Sequence, residues 1–478
     1  MFISPIHSLV KTGLILSISL LLVSCGGGSG GSKNNQEPTN ISSSTSSLSS
    51  HSSSSSSYSS SLSSAPIADV SIDLNTTYQT IDGFGAALPM WVGSANGMLT
   101  TAEVRKAVGI GKDELGLSIL RTMIYPDNNA WAFAVSNLQE AKSYVNEVKI
   151  LASPWSPPAY MKDNNSTING GKLLLERYGD YAAHLNNYVK YMLERGITID
   201  VVSIQNEPDW HPDYESCDWT GAELRNFVRD YGRQIQGTKL LVGESLRFNR
   251  AYTDPTLNDS VAVNNVDFVG GHLYSAESSG NLSPYSLAKE KGKPVWMTEW
   301  LSHEADGSGA AIWGTPANLA VWDETLDTMM RSVHKSMEAN WSAYIWWWLR
   351  RFYSFIGDGE ASYGTTKGEV LKRGWAFSHY SKFVRPGYLR VKVDKSSRAN
   401  GLEITAYKGD DKIVLVILNR TQTAVTDAVI DIPQGIESAQ LFHTSISQNR
   451  ESAEINLSAQ QATIDIAARS VATLVLNY

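Results

Sequence analysis

Residues 201–208 read VVSIQNEP, an apolar run that ends at Glu207 and indicates the fold class. Residues 294–300 read PVWMTEW and repeat the pattern, with Glu299 at the end of the run. Short apolar runs of this kind predict parallel strands that are buried on both faces. Because an unpaired buried charge is costly, a carboxylate at the end of such a strand indicates chemistry rather than packing.

Eight apolar runs alternate with helical stretches between about residues 80 and 385, which predicts an α/β fold, a (β/α)8 TIM barrel. The predicted strands are Gly83–Ala86, Leu117–Met123, Val148–Ser153, Ile199–Gln205, Lys239–Ser245, Val266–Tyr274, Pro294–Glu299 and Ala343–Trp348. The active site of such a barrel lies at the carboxyl ends of its strands. Glu207 and Glu299 are therefore expected to face each other from roughly opposite walls.

A different pattern follows the barrel, and residues 386–478 predict a side β-domain. Its predicted strands include the hairpin Leu402–Tyr407 and Lys412–Leu418, and later Thr463–Ala467 and Val471–Asn477. Residues 67–79 also contain a strand, in which Val70, Ile72 and Leu74 alternate with polar residues. Because this strand has no place in the barrel, we expect it to join the side β-domain.

The amino-terminal segment predicts a targeting signal. Residues 1–25 combine a positive charge with an apolar stretch too short to span a membrane, and residues 22–26, LVSCG, resemble a bacterial lipobox. The resemblance implies lipidation of Cys25 and a cell-surface or outer-membrane lipoprotein; the alternative is an ordinary signal peptide and secretion. Residues 26–66 are rich in Gly and Ser and predict a disordered linker. Cys217 is the only other cysteine, so no intrachain disulfide is expected.

Composition narrows the function. The chain has 478 residues, 42% of them hydrophobic and 18% charged, which indicates a folded globular body. Its 14 Trp and 21 Tyr suit a carbohydrate-active protein because sugars stack on aromatic faces, although most of these side chains are expected in the core. The net charge of -8 argues against nucleic acid as a partner. No CxxC pair or His cluster indicates a metal, and we expect no cofactor and a monomer.

Two carboxyl groups at the same end of a barrel are the apparatus of glycoside hydrolysis. Retention requires one protonated group for the leaving oxygen and one ionised group for the anomeric carbon, about 5–5.5 Å apart. Their mutual repulsion and unequal surroundings separate the two pKa values. Asn206, directly before Glu207, is placed to hydrogen-bond the 2-OH of the sugar.

Other residues at strand ends are candidates for substrate binding. Trp91 follows the first strand, Trp155 leaves the third between prolines, and His272 and Tyr274 close the sixth. Each is also compatible with a role in the core. Trp155 is the strongest of them, because the flanking prolines hold it in an extended loop.

Residues 346–353 read WWWLRRFY and follow the eighth strand. Strand neighbours alternate in direction, so at least one of the three tryptophans is expected to face the cleft. The adjacent arginines at 350 and 351 are either a solvated or locally paired set, with Asp358 or Glu360 as partner, or a fork that grips a substrate carboxylate beside Tyr353. The sequence alone does not decide between these two interpretations.

These stretches resemble glycoside hydrolase family 30, subfamily 8, from about residue 69 onward. The matching segments are Asp82–Gly85, Gly116–Arg121, Ala152–Trp155, Gln205–Asp209, Trp296–Glu299, Trp346–Tyr353 and Ser381–Tyr388. The resemblance implies a barrel with a side β-domain, Glu207 as acid/base and Glu299 as nucleophile. It also implies that Arg351, with Trp347 and Tyr353, binds the 4-O-methylglucuronic acid branch of xylan.

The resulting prediction is a retaining endo-β-1,4-xylanase that cleaves glucuronoxylan at positions directed by its acidic branches. Phe352, where relatives often carry a smaller residue, and a long segment at 354–372 depart from the pattern. One alternative is a glycosidase of the same fold that acts on undecorated xylan, arabinoxylan or a β-glucan. The other is a non-catalytic carbohydrate-binding protein displayed at the cell surface.

Overall fold

Eight parallel strands close into a barrel in the computed structural model of this chain, which describes residues 67–90, 97–302 and 317–478. After β1 (Val70–Thr80), the barrel strands are β2 (Gly83–Ala87), β3 (Ile119–Ile124), β4 (Lys149–Pro154), β5 (Val201–Ser203), β6 (Lys239–Ser245), β7 (Phe268–His272), β8 (Val295–Glu299) and β9 (Ala343–Trp346). The strands are ordered β2 to β9 around the barrel, and β9 pairs with β2 to close it. The predicted α/β barrel is thus confirmed.

Nine α-helices are described. They are α1 (Thr101–Val108), α2 (Val135–Tyr144), α3 (Tyr178–Leu193), α4 (Gly221–Tyr231), α5 (Asp254–Asn258), α6 (Ser286–Glu290), α7 (Ala317–Glu324), α8 (Arg331–Glu338) and α9 (Lys372–Ser381), with a π-helical turn at Thr325–Met330 between α7 and α8. Short 3₁₀ helices lie at Asn128–Ala134, Ala159–Met161, Leu175–Arg177, Gly232–Gln234, Arg250–Tyr252, Ala262–Asn265, Ala361–Tyr363 and Ser397–Ala399. Capping boxes begin α1 at Thr100 and α4 at Thr220.

A ten-stranded sheet forms the β-domain. Besides β1 it contains β10 (Leu389–Lys395), β11 (Glu403–Lys408), β12 (Lys412–Asn419), β13 (Val425–Asp431), β14 (Ser438–Thr444), β15 (Glu451–Ala453), β16 (Asn456–Leu457), β17 (Gln461–Ile466) and β18 (Ser470–Asn477). The strand order is β15-β14-β18-β12-β11-β10-β1-β13-β17-β16. β1 lies between β10, to which it is antiparallel, and β13, to which it is parallel. The structure therefore places the amino-terminal strand in the middle of the β-domain.

Helix α9 joins the two parts of the molecule, since it contacts both β2 and β18. The buried ring of His379 hydrogen-bonds Thr473 at 2.7 Å and Thr444 at 2.8 Å. Arg450 of the β-domain donates to Ser378 of the same helix at 2.7 Å. Buried polar groups that are satisfied in this way fix the orientation of two packed elements.

The interior of the barrel is apolar towards the amino ends of its strands. Eight fully or almost fully buried side chains form a cluster there: Ile119, Leu151, Val201, Leu241, Phe268, Trp296, Ala343 and Ile345. Burial of this kind drives the closure of the barrel, because each large apolar side chain contributes about 1.5–3 kcal/mol. The helices of the described residues include none that is both long and apolar enough to cross a bilayer.

Candidate active site

A cavity of about 1400 Å³ opens at the carboxyl ends of the barrel strands, and Glu207 and Glu299 both line it. Glu299 is the last residue of β8, whereas β5 ends at Ser203 and Glu207 lies in the loop beyond it. The strand that precedes Glu207 is thus shorter than the sequence predicts. Facing oxygen atoms of the two carboxylates lie within 4.8 Å of each other. A single bond of a bound substrate can therefore lie within reach of both.

The backbone turns Glu207 towards the cavity. Its φ is +44°, in the left-handed region, and its N–H donates to the carbonyl of Glu244 at 3.0 Å. Glu244 has a φ of +51° and lies at a register shift between β6 and β7, where Gly243 pairs with Gly270. Left-handed non-glycine residues and β-bulges both occur at functional sites because they redirect side chains.

Gly243 allows this close approach. A Cβ atom at this position, whose φ is +118°, would lie 2.4 Å from the carbonyl oxygen of Gly270. The glycine thus lets β6 and β7 pack closely enough to bring Glu244 and His272 into the same buried layer.

His272 connects the acidic residues. It is the last residue of β7 and is fully buried, with its Nδ1 2.9 Å from Glu207 Oε1 and 4.0 Å from Glu299 Oε1. Its Nε2 lies 3.8 Å from Glu244 Oε1. Burial lowers the pKa of His272, but the charge of Glu299 and the hydrogen bond to Glu207 outweigh it and raise the pKa to about 9. The imidazolium therefore donates its Nδ1–H to Glu207 at neutral pH.

Arg121 is the second buried cation of the site. It lies on β3, and its side chain is fully buried. The guanidinium donates to Glu299 Oε2, donates to Asn206 Oδ1 at 2.6 Å and lies 3.1 Å from Glu244 Oε1. Tyr274 donates its hydroxyl to the other oxygen of Glu299 at 2.9 Å. Glu299 is thus held in one orientation, and Asn206 is turned so that its amide N–H groups are left to donate.

The cluster of charges favours one protonated carboxyl group. Burial raises the pKa of Glu207, against the opposing hydrogen bond from His272. Burial would also raise the pKa of Glu244, but Arg121 and His272 outweigh it and lower the pKa to about 2. Three carboxyl groups face two cations, so the buried set is electrically neutral when Glu207 carries a proton. A raised pKa keeps the proton on Glu207 near neutral pH, which suits a general acid.

Glu207, His272 and Glu299 could in principle offer three ligand atoms to a metal ion, all within 4.8 Å of one another. A metal needs a deprotonated imidazole, and the raised pKa of His272 opposes this. The guanidinium of Arg121 beside Glu299 adds a repulsive charge. The donor set therefore fits an acid–base site better than a metal centre.

Aromatic side chains form one side of the cavity. Trp155 and Trp347 both line it, with their ring centroids 6.0 Å apart, and the guanidinium of Arg121 lies 4.8 Å from the ring of Trp155. Trp348 also lines it, whereas Trp346 is fully buried. The structure thus brings the predicted Trp155 and Trp347 together. Trp91 lies outside the described residues, as does Cys25.

The two adjacent arginines have different surroundings. Arg350 is buried and pairs with Glu103 of α1 at 2.8 Å, so it holds the barrel together. Arg351 lines the cavity beside Tyr353 with 22% of its side chain exposed, and its Nη1 donates to Asp358 at 3.1 Å. Asp358, not Glu360, is therefore the local partner. Arg351 is thus locally paired, as the first interpretation from the sequence predicts, and it also faces the cavity, as the second one requires.

Sequence reasoning missed two central residues, Glu244 and Arg121. Glu244 stands near the end of the apolar run 239–245, which carries the same signal as the runs before Glu207 and Glu299. Arg121 interrupts the buried strand Ile119–Ile124. A charge inside an apolar strand is the signal that would have found both. The phenyl ring of Phe352 stacks on Tyr363 at 3.7 Å, which was also not expected.

Comparison with known proteins gives consistent matches. The family model described as the glycosyl hydrolase family 30 TIM-barrel domain matches residues 124–354. Glucuronoxylanase XynC of Bacillus subtilis (strain 168) is 34% identical over 420 residues, which cover 86% of this chain and 92% of XynC. The solved structure of the glycoside hydrolase family 30 subfamily 8 xylanase Xyn30A from Clostridium acetobutylicum superposes with a TM-score of 0.74 at 30% identity, covering 86% of this chain and 100% of Xyn30A. A family 30 endoxylanase from Clostridium papyrosolvens C71 gives 0.70 at 29%, with the same coverage.

Proposed function

We propose that this chain, which belongs to glycoside hydrolase family 30, is an endo-β-1,4-xylanase that cleaves glucuronoxylan with retention of configuration. That it is a glycoside hydrolase follows from its family. The substrate is supported by the 34% identity to a glucuronoxylanase over most of both chains. The mechanism is supported by the site, and the separation of Glu207 and Glu299 is the observation that carries it.

In the first step the carboxylate of Glu299 attacks the anomeric carbon and forms a glycosyl ester. The bond from that carbon to the leaving oxygen breaks, and Glu207 transfers its proton to the oxygen. The hydrogen bond from His272 occupies Glu207 Oε1, so Oε2 is the oxygen left to carry the proton. Asn206 donates to the 2-OH of the sugar, a contact that strengthens in the transition state.

In the second step Glu207, now ionised, takes a proton from water, and the water oxygen attacks the anomeric carbon. The ester bond breaks and returns the carboxylate to Glu299. Two inversions at the same carbon give net retention. Inverting enzymes hold their carboxyl groups about 6.5–9.5 Å apart to leave room for water beneath the sugar, whereas an oxygen atom of Glu207 and one of Glu299 approach each other to within 4.8 Å.

Proton NMR of the earliest products tests this mechanism. The new reducing end should appear first as the β-anomer and then mutarotate. Initial release of the α-anomer would contradict retention and would leave the substrate assignment untouched.

Arg351 supports the choice of a branched substrate. It presents a cation to the cavity beside Trp347 and Tyr353, and Asp358 holds one end of its guanidinium in place. A carboxylate on a xylan branch can pair with the remaining donors of that guanidinium, and the cut is then positioned by the branch. Neutral xylans offer no group of this charge.

The test compares glucuronoxylan with the same polymer after chemical reduction of its carboxyl groups. We expect the reduced polymer to be cleaved about 10- to 100-fold more slowly, the factor that corresponds to a charge-assisted hydrogen bond. Arg351→Gln should reproduce this loss on glucuronoxylan and leave the rate on the reduced polymer unchanged. Equal wild-type rates on the two polymers would contradict branch-directed cleavage.

The location of the enzyme is a separate proposal. We propose that residues 1–24 are removed, that Cys25 is lipidated, and that residues 26–66 tether a monomeric catalytic body to the outer membrane. Cells that produce the wild type should incorporate labelled fatty acid into the protein, and Cys25→Ala should release it from the membrane fraction. An unlabelled, freely secreted wild type would contradict the anchor. Size-exclusion chromatography of residues 67–478 checks the monomer.

A further inference from the structure

The order of the barrel strands divides the cleft into two sides. Glu207 follows β5 and Glu299 ends β8, so the short arc between them carries only the loops after β6 and β7. The long arc carries the loops after β9, β2, β3 and β4, which include Arg351 and Trp155. We call the residues on the long arc the donor side. The acceptor side consists of the loop that follows Glu207 and the loop that follows β6.

The acceptor side is where the leaving sugar must lie, because Glu207 protonates the oxygen that departs. Trp210 lies on that side, three residues beyond Glu207, and its N–H donates to the carbonyl of Glu207 at 3.0 Å. The residue is 43% exposed and lines the cavity. A large aromatic face that is exposed beside a catalytic acid is suited to stacking on a sugar ring.

Arg247 lies next to it on the loop that follows β6. A hydrogen bond joins the two loops: the N–H of Leu246 donates to Asp209 Oδ1 at 2.8 Å. Leu246 directly precedes Arg247, and Asp209 directly precedes Trp210. The carbonyl of Arg247 is held by Asn281 Nδ2 at 2.8 Å. The backbone is thus fixed, while the side chain is exposed and lines the cavity.

The guanidinium of Arg247 differs from the other cations of the cavity. Arg331 is bound at two points by Glu277, and Arg351 is bound by Asp358. Within residues 67–90, 97–302 and 317–478, no carboxylate lies within ion-pair distance of Arg247, including Asp213 on the same side of the cavity. The charge of Arg247 acts on the carboxyl group of Asp209 on the neighbouring loop without forming an ion pair with it. A guanidinium with no ion-pair partner in the described part of the cleft is suited to an anionic ligand.

We propose that Trp210 and Arg247 form a second acid-recognising subsite, on the acceptor side, for a xylosyl residue that carries a uronic acid downstream of the cut. Trp210 stacks on the sugar ring, and Arg247 pairs with the carboxylate of the branch. This subsite rests on the proposed xylanase function and adds to it, because Arg351 reads a branch only on the donor side. The enzyme then favours bonds that are flanked by two acidic branches.

The experiment uses two purified xylo-oligosaccharides of equal length, one with a single uronic acid branch on the donor side and one with a second branch on the acceptor side. The wild type should show a higher kcat/KM on the doubly branched compound. Arg247→Gln should lower kcat/KM on that compound about three- to tenfold, the effect of one partly exposed charged hydrogen bond, and leave the singly branched compound unaffected. Arg247→Lys, which keeps the charge, should retain part of the preference in kcat/KM for the doubly branched compound.

Arg229→Gln is the matched control, because it removes the same charge from a half-exposed arginine of the outer helix α4, where the side chain pairs with Asp230. It should leave both rates unchanged. Trp210→Ala should raise KM for both compounds, since stacking does not depend on the branch. Trp210→Phe, which keeps an aromatic face, should have a KM close to that of the wild type. Equal behaviour of Arg247→Gln and Arg229→Gln, or an equal loss on both compounds, would overturn the subsite. A wild type that cleaves neither compound would instead contradict the proposed function.

Discussion

The two ends of the barrel are built from opposite chemistry. Towards the amino ends of the strands, the interior is filled by apolar side chains such as Ile345 and Leu151. Towards the carboxyl ends, the same strands carry Arg121, Glu244 and His272, all fully buried. Burial of apolar side chains at the amino end stabilises the fold. Each charge buried at the carboxyl end needs a partner that offsets the cost of its desolvation.

Stability and function therefore depend on different ends of the barrel. Apolar side chains at the amino end form one packed cluster in which no member requires a counter-charge. Charges at the carboxyl end depend on each other, so removal of one leaves another buried without its counter-charge. Changes at the two ends should therefore affect different measurements, and the following predictions test that separation.

The largest effect is expected at the nucleophile. Glu299→Ala should lower kcat by more than about 10⁴-fold, because no other group can form the glycosyl ester. Glu207→Ala should lower it by about 10²- to 10⁴-fold with xylan, and far less with an aryl glycoside whose leaving group needs no proton.

Azide separates the two roles. It should restore turnover of an activated glycoside to Glu299→Ala with an α-glycosyl azide as product, and to Glu207→Ala with a β-glycosyl azide. NMR of the products distinguishes the two anomers. The reverse assignment of anomers would exchange the proposed roles of the two glutamates.

The next effect is expected at Glu244, which touches neither the substrate nor the reacting atoms in the proposed mechanism and is a positioning residue. Glu244→Gln removes the negative charge between Arg121 and His272. We expect kcat to fall about 10- to 100-fold through misplacement of those cations, and the free energy of unfolding to fall by about 3–5 kcal/mol.

The pH profile distinguishes this role from a purely structural one. Removal of a nearby negative charge lowers the pKa of Glu207, so Glu207 loses its proton earlier as pH rises. The alkaline limb of kcat/KM should therefore move to lower pH in Glu244→Gln. An unchanged profile, with only a uniform loss of activity, would reduce Glu244 to a structural residue.

A smaller effect concerns pH and stability. The pKa of His272 is about 9 in the folded chain and near 6.5 when unfolded, so the protonated ring stabilises the fold fully below pH 6.5. That contribution, about 3 kcal/mol, is lost as pH rises through 9. Denaturant unfolding at several pH values should show the decline in the wild type and a flatter curve in His272→Asn.

The smallest effect belongs to the amino end. Ile345→Val should lower the free energy of unfolding by about 1 kcal/mol, the usual cost of one buried methylene group. Neither kcat nor the pH profile should change, because the residue lies in the apolar layer beneath the charged one. A shifted pH profile in this variant would show that the two ends are coupled.

Much of the fold could be predicted from the sequence, because barrel strands are short apolar runs that alternate with helical stretches along the chain. The eight predicted strands correspond to β2 to β9, and the fold class and the family are confirmed. Three strands are shorter by two or more residues than the runs that predict them, namely Val201–Ser203, Phe268–His272 and Ala343–Trp346. Hydrogen-bond pairing depends on the neighbouring strands, which local hydrophobicity does not report.

The site was accessible only in part. Glu207 and Glu299 stand out because each follows an apolar run, and Glu244 carries the same signal but was not recognised. The surroundings of the two adjacent arginines could not be predicted from the sequence. Arg350 is buried and pairs with Glu103 of α1, whereas Arg351 pairs with Asp358. Their separation arises from tertiary contacts, which become visible only once the strands have closed into a barrel.

The position of β1 has a consequence for how the chain reaches its native state. This strand leaves the ribosome before the barrel, yet both of its partner strands belong to the far end of the chain. The ion pair between Asp69 and Arg398 joins residues 329 positions apart, and a loop of that length must close before β1 is enclosed. Until then β1 is a strand with two open edges, and both the speed of folding and the exposure to aggregation depend on how soon β10 and β13 arrive.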